Sequence, residues 1–453
     1  MKDSGSKRAS PGSKWLLGAL VLLGMGAAFR LGLLVYAMYA LLGVMLLGWF
    51  SVHRWIGSLA VHRDCDRTDA AIGDVAEVTV TIRNDSRSSI PWTLLEDCLP
   101  AEALSASPAR LAARGPRLSL VRLRPGEEET LRYQVEFLAR GCYPIGPLLA
   151  ESGDFFGLHR GFRVVGEPVF VQVPPKVVPL EGYDIASSRP MGEIRLVHRL
   201  FEDPTRQSGI RDYQEGDPFN RIHWRATARL GRLQSRTYEP SVMAGATLLL
   251  DFHQESLVGD GQFVRTELAA SAAASLASAI HQLGSPVGFF SNGRDTVDRI
   301  REEGWNQDFR TRQQARFRAR LAAASDRLRP IGVETRRGPD QLEQILRCLA
   351  RLEPTDGLRF PTLLSEVSSR LPRNASVIAI IHDVPEETAV ALLGLSRRGY
   401  RVTAVHIAFD SREAPAWAAG PDWAAWLIGS GIEVRRIHDE ASLGHLCSEQ
   451  LAR

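Results

Sequence analysis

"ATLLLDFHQES" (Ala246–Ser256) begins with a run that is apolar but for Thr247 and ends in polar side chains. A short, continuously apolar segment bounded by polar residues fits a strand buried on both faces of a sheet. Three further runs share this character: "PVGFFSN" (Pro286–Asn292), "SVIAIIHD" (Ser376–Asp383) and "RVTAVHIAF" (Arg401–Phe409). Helix-like segments lie between them, among them an alanine-rich stretch from Phe263 to Leu283. Buried strands alternating with helices predict a doubly wound, largely parallel α/β sheet over residues 246–453. Ligands of such sheets sit at the carboxyl ends of the strands, where Asp251 and Asp383 fall.

Immediately upstream, residues 176–245 hold a linker and an arginine-rich segment, "RDYQEGDPFNRIHWRATARLGRLQSRTYE" (Arg211–Glu239), which keeps neither a helix nor a strand period for long. Arg211, Arg221 and Arg229 beside Asp217 and Glu239 form either a closed ion-pair clamp, with Trp224 packed beneath an arginine, or a docking site for an anion or acidic peptide. A catalytic role for His223 is the third reading, and no nucleophile stands near it in the sequence. Further upstream, residues 67–175 read as strands: "EVTVTIRND" (Glu77–Asp85) alternates, "LSLVRLRPGEEETLRYQVEF" (Leu118–Phe137) gives two runs about a Pro-Gly turn, and "CYPIGPLLAE" and "GEPVFVQVPP" add more. Such spacing predicts an immunoglobulin-like β-sandwich, a class of module that binds or spaces.

The N-terminal end is apolar over residues 15–50. Trp15–Phe29 has 15 residues and Leu31–Phe50 has 20, separated by Arg30, after a tail of residues 1–14. Twenty residues suffice to cross a hydrocarbon core; fifteen suffice if Lys14 and Arg30 snorkel. A signal peptide is the competing reading of the first run, against which a second apolar run follows at once. Lys2, Lys7, Arg8 and Lys14 precede the pair, and His53, Arg54, His62 and Arg63 follow it. By the positive-inside rule this predicts a two-helix hairpin with both ends, and so the large domains, in the cytoplasm; a single span would put those domains outside.

Composition adds bounds. A chain of 453 residues with 44% hydrophobic and 24% charged residues is long enough for several globular domains, and a net charge of +3 calls for no nucleic-acid partner. The five cysteines are scattered without a CxxC or Cys/His cluster, which fits reduced thiols and no zinc site. No phosphate-binding loop, GxSxG or HExxH occurs.

These segments together resemble the bacterial domain-of-unknown-function-fifty-eight family. The resemblance rests on Arg211, Tyr213, Gly216, Asp217, Arg221, Ile222, Trp224, Thr227, Ala228, Arg229, Leu233 and Glu239, and on "ARGCYPIGPLLAESGDFFGLHRGFRV" (Ala139–Val164). His223 stands where the family commonly has Asp, and Phe155 where it has Pro. The α/β segment is similar to a von Willebrand factor A domain, which implies a Mg²⁺ site of Asp251, a threonine such as Thr362, and Asp383. His253 and Glu255 replace the two serines of that site, so we expect no bound cofactor, a protonated His253 neutralising its carboxylate neighbours, and a degenerate site. Residues Gly293–Arg337 depart from the family. Phe309–Arg329 carries seven arginines and one acid, and reads as one exposed helix, either solvated or facing anionic lipid.

The resemblance implies a membrane-anchored, non-enzymatic scaffold of the bacterial cytoplasmic (inner) membrane, working with a MoxR-type AAA+ ATPase and other membrane proteins. A metal-dependent adhesion module and a hydrolase using Asp251, His253 and Asp383 are the alternatives.

Overall fold

The computed structural model describes residues 11–157, 159–180, 201–212, 222–241, 245–257, 261–297, 329–372, 375–382, 384–407 and 423–446; of residues 11–16, 201–211, 235–241 and 423–424 it describes the backbone alone. The chain divides into two compact units, Met1–Pro175 with Asp295–Ala323, and Lys176–Arg294 with Ala324–Arg453.

The first unit starts with two helices, α1 (Pro11–Ala28) and α2 (Gly32–Gly57). Of these, α2 is long and apolar enough to cross a membrane, whereas the apolar part of α1, Leu17–Ala28, is shorter. The first strand begins within the unit at Leu59, ahead of the expected boundary at residue 67. Ten strands follow: β1 (Leu59–Cys65), β2 (Val75–Asn84), β3 (Ile90–Asp97), β4 (Leu111–Arg114), β5 (Leu118–Leu123), β6 (Glu128–Phe137), β7 (Gly141–Ile145), β8 (Leu148–Gly153), β9 (Arg160–Val165) and β10 (Val169–Val173). They form two four-stranded antiparallel sheets, ordered β1-β2-β6-β4 and β5-β3-β8-β9, and a two-stranded β10-β7 ribbon. In β2, Ala76, Val78, Val80 and Ile82 point inward and alternate with more exposed residues, the period-two pattern of a sheet with one face on the core. β8 breaks that pattern, being buried along its whole length, because α2 lies against β8 and β9.

A charged group lies inside this sandwich. Arg63 on β1 pairs with Asp97 at the end of β3, their side chains 3% and 0% exposed. The Tyr133 hydroxyl on β6 donates to the same carboxylate at 2.5 Å, and Arg63 Nη1 donates to the Glu167 carbonyl at 2.7 Å. Burial, then the Asp97 charge, push the Tyr133 hydroxyl far above its ordinary range, so it remains a donor. Gly146, at φ +94°, lies directly against the Arg63 guanidinium, and a Cβ there would overlap it. This network ties strands of both sheets together.

The second unit holds a hairpin of β11 (Phe201–Asp212) and β12 (Gln234–Ser241), with a short helix α4 (Trp224–Leu230) between them; α3 (Ala101–Ser105) belongs to the sandwich. A six-stranded sheet follows, with β13 (Ala246–Leu250), β14 (Val287–Ser291), β15 (Ile331–Arg336), β16 (Ser376–Ile381), β17 (Arg401–Ile407) and β18 (Glu433–Ile437) in the order β15-β14-β13-β16-β17-β18. All pairs are parallel except β14-β15. β13 is buried along its whole length. Leu248 and Leu250 pack on one side with α5 (Gln262–Gln282), α6 (Gln341–Arg351) and α10 (Glu440–Gly444). Leu249 packs on the other with α7 (Phe360–Val367), α8 (Glu386–Arg397) and α9 (Trp423–Gly429). The alanines of α5 are almost all buried, since a small side chain brings a helix backbone close to the strands.

Of the insertion Gly293–Arg337, Ile331–Arg336 is an edge strand, with Ile331, Val333 and Thr335 half-buried and alternating with exposed residues, the period of a strand with one covered face. The helix expected over Phe309–Arg329 falls almost wholly on residues 298–328, which lie outside the described residues.

Candidate functional site

The order of strands reverses about β13: the chain passes from β13 to β14 on one side and later from β16 to β17 on the other. Crevices at the carboxyl ends of strands beside such a reversal are where open α/β sheets hold ligands. Asp251 follows β13 and His382 follows β16 at this place.

Asp251 is 3% exposed. Its Oδ1 accepts from Asn292 Nδ2 at 2.9 Å and from the His253 amide at 3.1 Å, and the Ser256 hydroxyl is a further partner. Asn292 Oδ1 in turn accepts from the Phe252 amide at 2.7 Å. Burial raises the Asp251 carboxyl above its ordinary value, while Asn292, Ser256 and His253 pull it back. The loop beyond is held by a bridge between His253 and Thr355, in which Gln254 N donates to Thr355 O at 2.8 Å and Thr355 N to Phe252 O at 3.0 Å.

His253 Nδ1 accepts from the Glu255 amide at 3.2 Å. Glu255 Oε2 also lies 3.9 Å from the same nitrogen, so His253 faces the Glu255 of its own loop. Glu255 is exposed and its carboxylate pairs with Arg359 at 3.1 Å, at the rim rather than on Asp251. Thr362 is also elsewhere: it stands exposed on α7, where Leu363 and Leu364 take the buried positions. Thr355, 1% exposed, is the threonine beside His253. Asp383 lies outside the described residues. Among the described residues no group of three or more His, Cys, Asp and Glu side chains comes together as a metal site.

His382 was not anticipated. Burial first, then the charges of Arg265 and His406, push its imidazole down to about 3, and the Asp251 backbone works weakly the other way. It is therefore neutral at physiological pH. Asn292, His382 and Thr355 each stand in stretches legible as strand or loop, but their meeting depends on strand order.

In the arginine-rich segment, Arg211 falls on β11 opposite Ser235. Glu239 falls on β12. Tyr213, Asp217 and Arg221 lie outside the described residues, and Arg211 and Glu239 are described by backbone alone, so the clamp among them has no described geometry. Arg229 is exposed on α4. Trp224 is 65% exposed and opens a short helix that buries none of its residues; of the arginines expected above it, Arg221 lies outside the described residues and Arg211 is described by backbone alone. Arg232 instead pairs with Asp212 at 3.2 Å, both exposed, a contact worth little.

His223 has a plain role here. Its Nδ1 accepts from the Ala226 amide at 3.1 Å as the N-cap of α4, and Gly231, at φ +70°, closes the helix. Aspartate is among the strongest N-caps, so it can take the same capping role at this position. His223→Ala is expected to cost about 1 kcal/mol, whereas His223→Asp should retain wild-type stability, both read by urea unfolding. A His223→Asp variant as unstable as the alanine variant would remove the capping account.

The protein thus combines an apolar helix, a β-sandwich and a largely parallel sheet covered on both faces, with a buried Asp at the strand-order reversal. Residues 209–312 match the family described as "Protein of unknown function DUF58". Among curated proteins it is similar to "Uncharacterized protein YeaD" of Bacillus subtilis (strain 168), 25% identical over 196 residues, 43% of this chain and 48% of the relative. The chain thus aligns with about half of that relative. Among solved structures, it is similar to the CARDB domain of the PF1109 protein of Pyrococcus furiosus in complex with di-metal ions (TM-score 0.17, 18% identity, 25% of this chain and 86% of that one). Another is Spo0M, sporulation control protein, of Bacillus subtilis (TM-score 0.16, 13% identity, 26% and 49%). At these scores neither likeness bears on what this chain does.

Proposed function

We propose that the chain is a membrane-anchored interaction protein with no enzymatic activity of its own. On this reading its second unit is a von Willebrand factor A-like domain that docks another protein. The observation that carries it is the state of Asp251. Its carboxylate is buried and taken up by Asn292, the His253 amide and Ser256, and the nearby His253 and Glu255 face a backbone amide and Arg359. A carboxylate engaged in this way stiffens the loops at the strand ends and leaves them to act as a surface. The strand order, with its single antiparallel edge strand, supports the domain type.

The family resemblance supplies the partner class, a MoxR-type AAA+ ATPase together with other membrane proteins. A two-span hairpin at the bacterial cytoplasmic membrane, with the soluble units inside, fits α1 and α2 and the basic residues flanking them. The test is a pull-down of the detergent-solubilised full chain from its native cells, with and without ATP analogues. Recovery of an AAA+ ATPase, changed in yield by the analogue, is the expected result. Eluates without an ATPase in either state would overturn the partnership. Stoichiometric Mg²⁺ binding by calorimetry, lost in Asp251→Ala, would instead favour a metal-dependent adhesion module.

A further inference from the structure

α2 outlasts its own apolar run. The run ends at Phe50, yet the helix continues to Gly57, and its last turns enter the sandwich: Val52, Trp55 and Ile56 are buried in the sandwich core. Trp55 Nε1 donates to Ser88 Oγ at 2.9 Å. Arg163 on β9 donates from Nη1 to the Ile56 and Gly57 carbonyls, at 3.1 and 2.8 Å, closing the helix end. The helix and the sandwich are therefore one piece.

One contact reaches beyond this joint toward the apolar run. A Cβ at Gly48 would stand 2.7 Å from Asp154 Oδ2, so the start of the β8–β9 turn rests on the α2 backbone inside the apolar segment. Asp154 is 5% exposed. The turn is tight: Asp154 N donates to His159 O at 3.1 Å, and Gly157 takes φ +68°. What it presents is two adjacent aromatic rings, Phe155 at 80% and Phe156 at 71% exposure. Beside them on α2, Leu47, Trp49 and Phe50 are also largely exposed.

Gly32 to Phe50 as a helix spans roughly 28 Å at 1.5 Å per residue, close to the ~30 Å of a hydrocarbon core. Gly48 then lies just inside the edge of that core, and Trp49 at the level where Trp rings collect. A turn resting on Gly48 is at the same depth. We infer that the Asp154–Gly157 turn is a second membrane contact, in which Phe155 and Phe156 insert into the lipid beside α2. This rests on the reading that α2 spans a membrane. The continuity of the exposed rings with the lipid-facing side of α2 selects lipid as the occupant. Small backbones at Gly48 and Gly157 let the turn approach the helix and fold back, and the buried Asp154 holds the tip in place while the rings remain outside.

The test uses the full chain in vesicles of unsaturated phosphatidylcholine and phosphatidylglycerol, with benzoylphenylalanine placed singly at Phe155, Phe156, Leu46 or Thr68. Leu46 is outward-facing on α2, and Thr68 lies past the far end of β1 from the helix. After irradiation, lipid adducts are read by mass spectrometry. The expected result is adduct yield at positions 155 and 156 at the level of position 46, and loss of adduct at position 68. Adducts at position 46 without adducts at 155 and 156 would overturn the inference and leave the spanning helix standing. Protein adducts at 155 and 156 in native membranes would overturn it in favour of a protein partner. Absence of lipid adducts at position 46 as well would mean that α2 is not in lipid, and the inference would fall with that reading.

Discussion

Asp97→Ala is expected to destabilise the sandwich by roughly 3–5 kcal/mol, the range for breaking one side of a buried ion pair. The Arg63 side chain is 3% exposed and cannot turn to water. Without Asp97 it keeps only its bond to the Glu167 carbonyl, and an unneutralised guanidinium stays in the core. Tyr133 loses its acceptor too. Tyr133→Phe removes only one hydrogen bond to a charged acceptor and should cost about 1.5–3 kcal/mol. Denaturant unfolding of the detergent-solubilised chain, followed by tryptophan fluorescence, gives the comparison. If Asp97→Ala loses no more than Tyr133→Phe, the guanidinium has found another partner and the network does not tie the sheets as described.

Asp251→Ala should be the most damaging change in the second unit. It strands the Asn292 amide and the His253 N–H in a buried place, and each unsatisfied group costs about 1–3 kcal/mol. Asp251→Asn is the informative companion. Both observed donors share one oxygen, Oδ1, which an asparagine keeps, and the rotatable Ser256 hydroxyl can accept from the new amide. The pH dependence then isolates the charge. In the folded chain the Asp251 carboxyl titrates above its ordinary value of 3.8. Between those two values the folded state holds a proton that the unfolded state has released, so stability falls as pH rises through the interval. Asp251→Asn lacks this loss. Its stability relative to wild type should increase as pH is raised from about 3.8, and then level off. His382 contributes an opposite slope on the acid side of its ordinary range, but it does so in both chains and cancels in the difference. A pH-independent difference between them would show that Asp251 pays no burial penalty and that the described network is wrong.

Much of this architecture is legible in the residues. Runs such as "ATLLL" are buried throughout, and the one polar side chain among them, Thr247, meets the Thr335 hydroxyl at 2.6 Å. The alternation of β2 is equally direct. What escaped were features made by contact between distant segments. "SVHRWIG" at the end of α2 mixes polar and apolar residues beyond the apolar run, and its place in the core comes from the sandwich surface that Val52, Trp55 and Ile56 meet. Full burial of β8 has the same origin. At the candidate site, Asp251 stands out because it ends an apolar strand, whereas Asn292 and Thr355 acquire meaning only from the neighbours that strand order gives them. Thr362 attracted attention as a hydroxyl in about the right region. Helix α7 starts at Phe360 and turns it outward, which no spacing argument foresees.

The joint between α2 and the sandwich has a mechanical consequence. A helix that runs without a break from Gly32 to Gly57 and is clamped at its end by Arg163 has no hinge at the water's edge. Transmembrane helices answer a change in bilayer thickness by tilting. In most anchored proteins a flexible tether would absorb that tilt. On the proposed reading that α2 spans a membrane, the tilt would pass to the sandwich, so that the thickness of the surrounding bilayer would set the angle at which the sandwich leans over the lipid surface.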